Sequence, residues 1–410
     1  MRKNIAIVGC ADTKSEEMLF LKSELEKYGL GTLLIDTSLR YRPETAELCD
    51  ICTKDLLRHG GYPADVLAAA KKSEAVSIVT ECLKAAISAL YSQGRISGGI
   101  SAGGMQNSVI SSGGLQMLPF GVPKILISSM ANSYMSCEMF TGRSDLVIMP
   151  SVADASGVNS ITSAVYQNAA AALAGMVNRE PVKSESSREI AITSVGVTND
   201  GVLIIADRLK RLGYTPVFFH GTTGGARAME ELLLQGRFEA AFDLDVHDIL
   251  VEAIGYYVIN QSSTNRLERL KNISVPMVFS FSGLDVIDMP RSYFETADIP
   301  EKDRRKVYRH NAELYHVKVT HEEAVAGAER FAQRLNALSG PVAVVAPLRG
   351  FRDNVQAGEA LYDPEIDRTI IETVKNRIKP SVLWREVDCS ANDEAYAETV
   401  IQIWKQLKRR

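Results

Sequence analysis

The sequence predicts an α/β protein made of two doubly wound, mainly parallel-sheet (Rossmann-like) domains. Three observations predict it. Short β-branched and aliphatic runs recur along the chain, each followed by a longer stretch with helical spacing, the signature of βαβ units. That alternation stops in the polar stretch Arg179–Arg188 and restarts at Glu189. A chain of 410 residues with 46% hydrophobic and 23% charged side chains is also long for one core and sufficient for two. The expected domains are residues 1–180, nucleotide-binding, and residues 187–410.

In the first domain, Asn4–Val8 reads as a buried strand, Gly9–Thr13 as a loop, and the following residues to Tyr28 as a helix. Met18, Leu21 and Leu25 give that helix one apolar face. Leu33–Asp36, Gly98–Ser101, Lys124–Ser128 and Leu146–Met149 are the next strands. Long helical patterns fill Ala64–Tyr91, and an alanine-rich helix spans Ser156–Val177. In the second domain, strands are expected at Glu189–Ser194, Thr215–Phe219, Ala240–Leu244, Pro276–Ser280, Pro341–Ala346 and Ser381–Val387. Identity between the halves is too low to define a repeat.

Charge and composition exclude some functions. Lys+Arg 46 against Asp+Glu 50 leaves a net charge of -4, without the basic excess that nucleic-acid binding draws on. No apolar run reads as a membrane span, and Ile5–Val8 is too short for a signal-peptide core. Six cysteines read as reduced thiols, so the expectation is a cytoplasmic protein. Cys49 and Cys52 form a CxxC with no second pair nearby, and structural zinc wants four ligands.

Candidate ligand-binding residues lie where parallel strands present their carboxyl ends. The loop Gly9–Glu17 contains Asp12, Thr13 and Lys14. Thr13 and Glu16 have capping-box spacing, while Lys14 in a first helical turn opposes the helix dipole unless an anion binds there. Asp12 is then a candidate for a metal or a ribose hydroxyl. Asp36, ending the second strand, is a candidate for ribose hydroxyls or a solvated carboxylate. In Ser101–Ser108, Gly103 and Gly104 allow a phosphate close to the backbone, or simply make a tight turn. Gly99–Gly103 also matches G-x-S-x-G, which makes Ser101 a hydrolase-type nucleophile in a competing reading.

The second domain repeats the theme. Thr222, Thr223, Gly224 and Gly225 precede a helix with Arg227 in its first turn, beside His220. This is either an anion site or a threonine-capped helix with an exposed arginine. Asp243, Asp245 and His247 alternate at a strand end, as ligands for a divalent metal or as a solvated strand mouth. The metabolic-enzyme alternative places a small anionic or carboxylated substrate between the domains. Arg227 and Arg309 would clamp it, and His220 or His310 would transfer protons.

Together these motifs resemble the uncharacterised protein family 0261, which includes the amino-terminal region of a plant virus-resistance protein. Gly9, Asp12, Thr13, Lys14 and Glu17 match the family's first loop. Leu118–Lys124, Ser128–Ser129, Thr141–Asp145 and Ser151–Asp154 through Asn159 also fit. So do Phe219–His220, Gly224–Gly225, Arg227–Glu230, Asp243–Leu244 and Tyr308–Asn311. Cys10, Ser101–Met105 and Cys389–Asp393 depart from the family pattern. The resemblance implies two α/β domains, ATP binding in the first, and a homodimer. For a nucleotide held by Gly9, Asp12, Thr13, Lys14, Gly103 and Gly104, magnesium is a candidate accompanying ion. The net charge offers little resistance to self-association, and the small, apolar run Ala169–Ala174 is either a dimer surface or a face packed on its own sheet.

Overall fold

The computed structural model describes residues 3–132, 140–141, 144–180, 188–222, 224–255 and 265–409. The chain separates into two compact units, Met1–Lys183 and Ser184–Arg410. Gly142, Arg143 and Thr223, which belong to the sequence motifs, lie outside the described residues, as does most of the polar stretch Arg179–Arg188.

The first unit runs β1 (Asn4–Gly9), α1 (Ala11–Lys27), β2 (Gly31–Asp36), α2 (Pro43–Ala46), α3 (Thr53–His59), α4 (Val66–Ala69) and α5 (Lys72–Ser92). It continues with β3 (Gly98–Gly103), α6 (Met105–Leu115), β4 (Lys124–Ser128), β5 (Val147–Pro150) and α7 (Ser160–Asn178). Its five strands are parallel, in the order β2-β1-β3-β4-β5. Alternation along β1 sends Ile5 and Ile7 into one apolar layer with α1 and α7, and Ala6 and Val8 into the other with α3, α5 and α6. Helices on both faces explain why β1 reads as an unbroken apolar run.

Ala169, Ala170 and Ala174 are buried in the first of those layers, so the alanine stripe of α7 packs against its own sheet. Asn159 starts α7 with a capping box: its Oδ1 accepts from the amides of Ile161 at 2.9 Å and Thr162 at 3.0 Å. By length and composition alone, α5 is long and apolar enough to cross a membrane, a run the sequence reading passed over. Its apolar face, including Ile78, Val79, Leu83, Ile87 and Leu90, is buried in this unit's core.

The second unit runs β6 (Glu189–Ser194), α8 (Asn199–Arg211), β7 (Thr215–His220), α9 (Gly224–Leu234), β8 (Ala240–Asp245), α10 (His247–Ile254) and β9 (Met277–Ser282). Then follow β10 (Val286–Pro290), α11 (Arg291–Thr296), β11 (Val307–Arg309), β12 (Leu314–Lys318) and α12 (His321–Ala337). The chain ends with β13 (Val342–Pro347), α13 (Pro364–Arg377), β14 (Leu383–Val387) and α14 (Glu394–Leu407). Six strands form a parallel sheet in the order β14-β13-β9-β8-β6-β7. Helices α8 and α14 cover one face; α9, α10, α12 and α13 cover the other. A separate antiparallel ribbon, β10-β12-β11, is inserted after β9. The sequence reading missed it because its strands have only five, three and five residues and carry charged and histidine side chains.

Candidate functional sites at the two strand mouths

In both sheets the winding direction reverses between the first strand and its inner neighbour, β1/β3 in one unit and β6/β8 in the other. Such reversals open a crevice at the carboxyl ends of the strands. The topology therefore brings Gly9–Lys14, from the end of β1 onward, beside Ser101–Gly104, at the end of β3.

The first of these loops is held by its own protein. Asn107 Oδ1 accepts from the Cys10 amide at 3.1 Å, Asp36 Oδ1 from the Ala11 amide at 3.0 Å, and Ser38 Oγ from the Asp12 amide at 3.0 Å. These amides were expected to face a phosphate. Asp36 is buried, and it also accepts from the Ser38 amide at 2.9 Å and from Thr53 Oγ1 at 2.9 Å. It acts as a hub for the loop instead of facing a ribose. Lys14 donates to Glu17 Oε1 at 3.2 Å and to the Ala155 carbonyl, so its charge answers the buried Glu17.

Helix α1 starts at Ala11 on Cys10, with no side-chain cap. Thr13 is exposed inside the helix, its hydroxyl donating to the Cys10 carbonyl at 3.3 Å. The expected Thr13–Glu16 capping box is absent: α1 begins at Ala11 and kinks at Lys14 (φ -130°, ψ 17°), and the Thr13 hydroxyl is turned to Cys10. At Gly9 a Cβ would lie 2.8 Å from Met18 Sδ, so a larger residue there would have to displace the Met18 side chain. Ser101 is fully buried, donating to Ser111 Oγ at 2.9 Å and accepting from Asn107 Nδ2 at 2.9 Å. It is no exposed nucleophile. Cys10, next to this network, has its thiol pushed up to about 11, first by burial.

The second loop is different. Gly104 is the N-cap of α6, and no side chain caps that turn. A Cβ on Gly104 would meet nothing closer than Ser129 Oγ at 3.7 Å, whereas one on Gly103 would strike Asn107 at 2.6 Å. Gly103 thus makes room for Asn107, and Gly104 leaves the start of α6 open.

At the end of β5 in the same unit, Val152 is 77% exposed and has φ of 66°, a left-handed backbone that a β-branched residue adopts at a cost. Val152→Gly is expected to raise the unit's stability by about 0.5–1 kcal/mol, the left-handed penalty less glycine's chain entropy. Urea unfolding followed by circular dichroism checks it. Unchanged or lower stability would show that the conformation stores no strain.

In the second unit, His220 is exposed and its Nδ1 lies 2.9 Å from Thr222 Oγ1. Gly224 and Gly225 begin α9; a Cβ on Gly225 would fall 2.5 Å from the His220 carbonyl oxygen. Arg227 is buried, which overturns the exposed-arginine alternative. Arg309 and His310 face opposite sides of the ribbon, as alternation along a strand requires. Arg309 lies over the Tyr315 ring at 5.7 Å, while His310 stacks on His316 at 4.6 Å. Of the expected clamp and proton carriers, Arg309 and His310 are thereby turned to different faces of the ribbon.

Asp243, Asp245 and His247 are buried, not solvated, and among the described residues no group of three or more His, Cys, Asp or Glu is placed to hold a metal. They serve different partners. Asp243 accepts from Thr193 Oγ1 at 2.9 Å and Arg266 Nη2 at 2.6 Å, and Arg266 Nε donates to Glu230 at 2.5 Å. Burial raises Asp243 to about 6 against the pull of Arg266. Asp245 accepts from Ser282 Oγ at 2.7 Å and lies 4.0 Å from Arg352 Nη2. His247 begins α10 and accepts the Asp288 amide on Nε2 at 3.0 Å. That bond fixes its neutral Nδ1–H form in this geometry, although burial is outweighed by nearby carboxylates that raise its pKa.

Asp288 lies 3.4 Å from Arg352 Nη1 and 3.6 Å from His316 Nε2. Burial pushes His316 down to about 4. Sequence reasoning missed Asp288, His316, Arg352 and Asn354. They come from the ribbon and from the loop after β13, and the period-two pattern of Leu314–Lys318 was the available signal.

The fold and these strand mouths define a two-unit, doubly wound α/β protein with a strand-order reversal in each unit. The chain belongs to the uncharacterised protein family UPF0261, whose N-terminal domain model matches residues 3–181 and whose C-terminal domain model matches residues 187–408. A UPF0261 protein of Clostridium tetani is 32% identical over 405 residues, covering 97% of each chain. One from Rhizobium meliloti is 29% identical over 409 residues and 99% of each. The ToMV resistance protein Tm-1(GCR237) of Solanum lycopersicum is 30% identical over 382 residues, which is 87% of this chain but 49% of that protein.

Proposed function

We propose that the first unit binds the phosphates of a nucleotide, ATP being the probe of choice, at the start of α6. The observation that carries this reading is the uncapped turn at Gly104, set at the β1/β3 reversal. An eleven-residue helix directs its amides and dipole to that point, and glycine lets an anion approach them. ATP would supply the phosphate anion. The chain would supply the amide donors, the Ser129 hydroxyl beside Gly104, and Asn107 to fix the neighbouring loop. Asp12, half-buried in the first turn of α1, is the candidate partner for magnesium. Gly9, Lys14 and Asp36 act through the loop's architecture.

Gly104→Asp tests this reading with two opposed signs. An aspartate there has room, and its carboxylate caps α6, so stability is expected to hold or to rise by a few tenths of a kcal/mol. The same carboxylate takes the amides and repels phosphate. Calorimetric titration is expected to show saturable ATP binding to the unmodified protein and at least about tenfold weaker binding to the variant. Absence of binding to the unmodified protein, or equal binding to both, would overturn the proposal.

A further inference from the structure

The strand mouth of the second unit holds buried polar atoms that nucleotide binding in the first unit leaves unused. Arg352 is fully buried in the loop after β13, and its Nη1 lies 3.4 Å from Asp288 Oδ1. Its Nε and Nη2, the pair on the guanidinium's other edge, have no hydrogen-bond partner among the described residues. Asn354 directs Nδ2 to His316 Nδ1 at 2.8 Å and leaves Oδ1 unpartnered. His247 uses Nε2 on the Asp288 amide, and its Nδ1 has only Asp248 Oδ1, at 3.9 Å. All are connected through Asp288, directly or by way of His316. Roughly nine in ten buried polar groups find a hydrogen-bond partner, so these unpartnered atoms on connected residues call for one.

We propose that the Arg352 cluster is a recognition site for a small 2-hydroxycarboxylate. The Nε/Nη2 edge is the planar fork that takes both oxygens of a carboxylate. Asn354 Oδ1 accepts the hydroxyl proton, and His247 Nδ1–H supplies a further donor. Asp245 and Asp288 face the same guanidinium, which favours a singly charged carboxylate over a phosphate dianion. The donor atoms are covered from solvent, so the ligand enters by displacing the end of the ribbon. There Asp288 is 20% exposed, and Tyr308 and His310 are exposed with their rings 5.9 and 4.6 Å from that of His316.

The test is calorimetric titration of the full chain with glycolate, lactate and malate, beside acetate and inorganic phosphate. At least one hydroxy acid is expected to bind saturably in the millimolar range or better, more tightly than acetate or phosphate. Arg352→Lys keeps the charge and loses the fork, and is expected to weaken that binding at least about tenfold. Asn354→Ser, which leaves Arg352 in place, is expected to reduce the preferred hydroxy acid to the level of acetate. Trp384 and Trp404, both in this unit, report whether each variant is folded. No saturable binding of any of the three acids overturns the proposal. So does phosphate binding more tightly than all of them, undiminished binding by folded Arg352→Lys, or an unchanged hydroxy-acid preference in Asn354→Ser.

Discussion

Replacing Arg266 by methionine is expected to destabilise the second unit by about 3–5 kcal/mol at pH 7.5, the usual consequence of removing one partner from a buried ionic cluster. Arg266 is fully buried and bonds two buried carboxylates, Asp243 at 2.6 Å and Glu230 at 2.5 Å. Without it those charges face each other in a low-dielectric interior. The pH dependence identifies the cause. Asp243 sits at about 6 in the folded protein against an ordinary 3.8, so the folded state holds the extra proton between about pH 4 and 6. Stability falls as pH rises across that window. Loss of Arg266 raises Asp243 further and extends the fall above pH 6. The deficit is therefore expected to be smallest near pH 5 and to deepen towards pH 8. Both tryptophans lie in the second unit, so urea unfolding followed by their fluorescence reads this unit alone. A deficit under about 1 kcal/mol, or one independent of pH, would show that Arg266 does not balance these carboxylates.

What could be read in the sequence follows from the length scale of each feature. Strands buried on both faces declare themselves locally: Asn4–Val8 and Pro341–Ala346 are apolar runs that need no knowledge of their neighbours. The glycines after β3 could be read for the same reason, because a strand-to-helix turn is encoded in consecutive residues. Which amides of a loop remain available is not local. Cys10, Ala11 and Asp12 donate to Asn107, Asp36 and Ser38, partners that are 97, 25 and 26 residues away. Lys14 looks like an anion ligand until Ala155 and Glu17 are placed beside it. In the second unit, no local motif marks Arg352 or Asp288. Only the insertion of the β10–β12 ribbon buries them together, and strands of three to five residues carry too little pattern to announce it.

Lys318 is the second cation whose removal is expected to cost about 3–5 kcal/mol, and a comparison of two variants separates charge balance from packing. It lies on β12, and its buried Nζ donates to Asp285 and Asp367, both at 2.9 Å, so it ties the ribbon to α13. One cation serves two anions, and burial raises Asp367 to about 7 even against Lys318. Between about pH 4 and 7 the folded state therefore holds a proton on Asp367 that the unfolded chain releases, and stability falls as pH rises through that interval. The carboxylates raise Lys318 above its ordinary 10.5, so its own contribution persists through neutrality and is lost only as pH rises through that higher value. Lys318→Met at pH 8 leaves two buried carboxylates unanswered and should show the full loss. At pH 5.5 a protonated Asp367 can donate to Asp285, and the loss should shrink. Asp367→Asn at pH 8 keeps an acceptor for Lys318 and removes the surplus negative charge, so its cost should stay below about 1 kcal/mol or become a gain. Tryptophan-monitored urea unfolding of both variants at the two pH values provides the measurement. Equal losses for Lys318→Met and Asp367→Asn at pH 8 would mean that shape and hydrogen bonding, not charge, govern this junction.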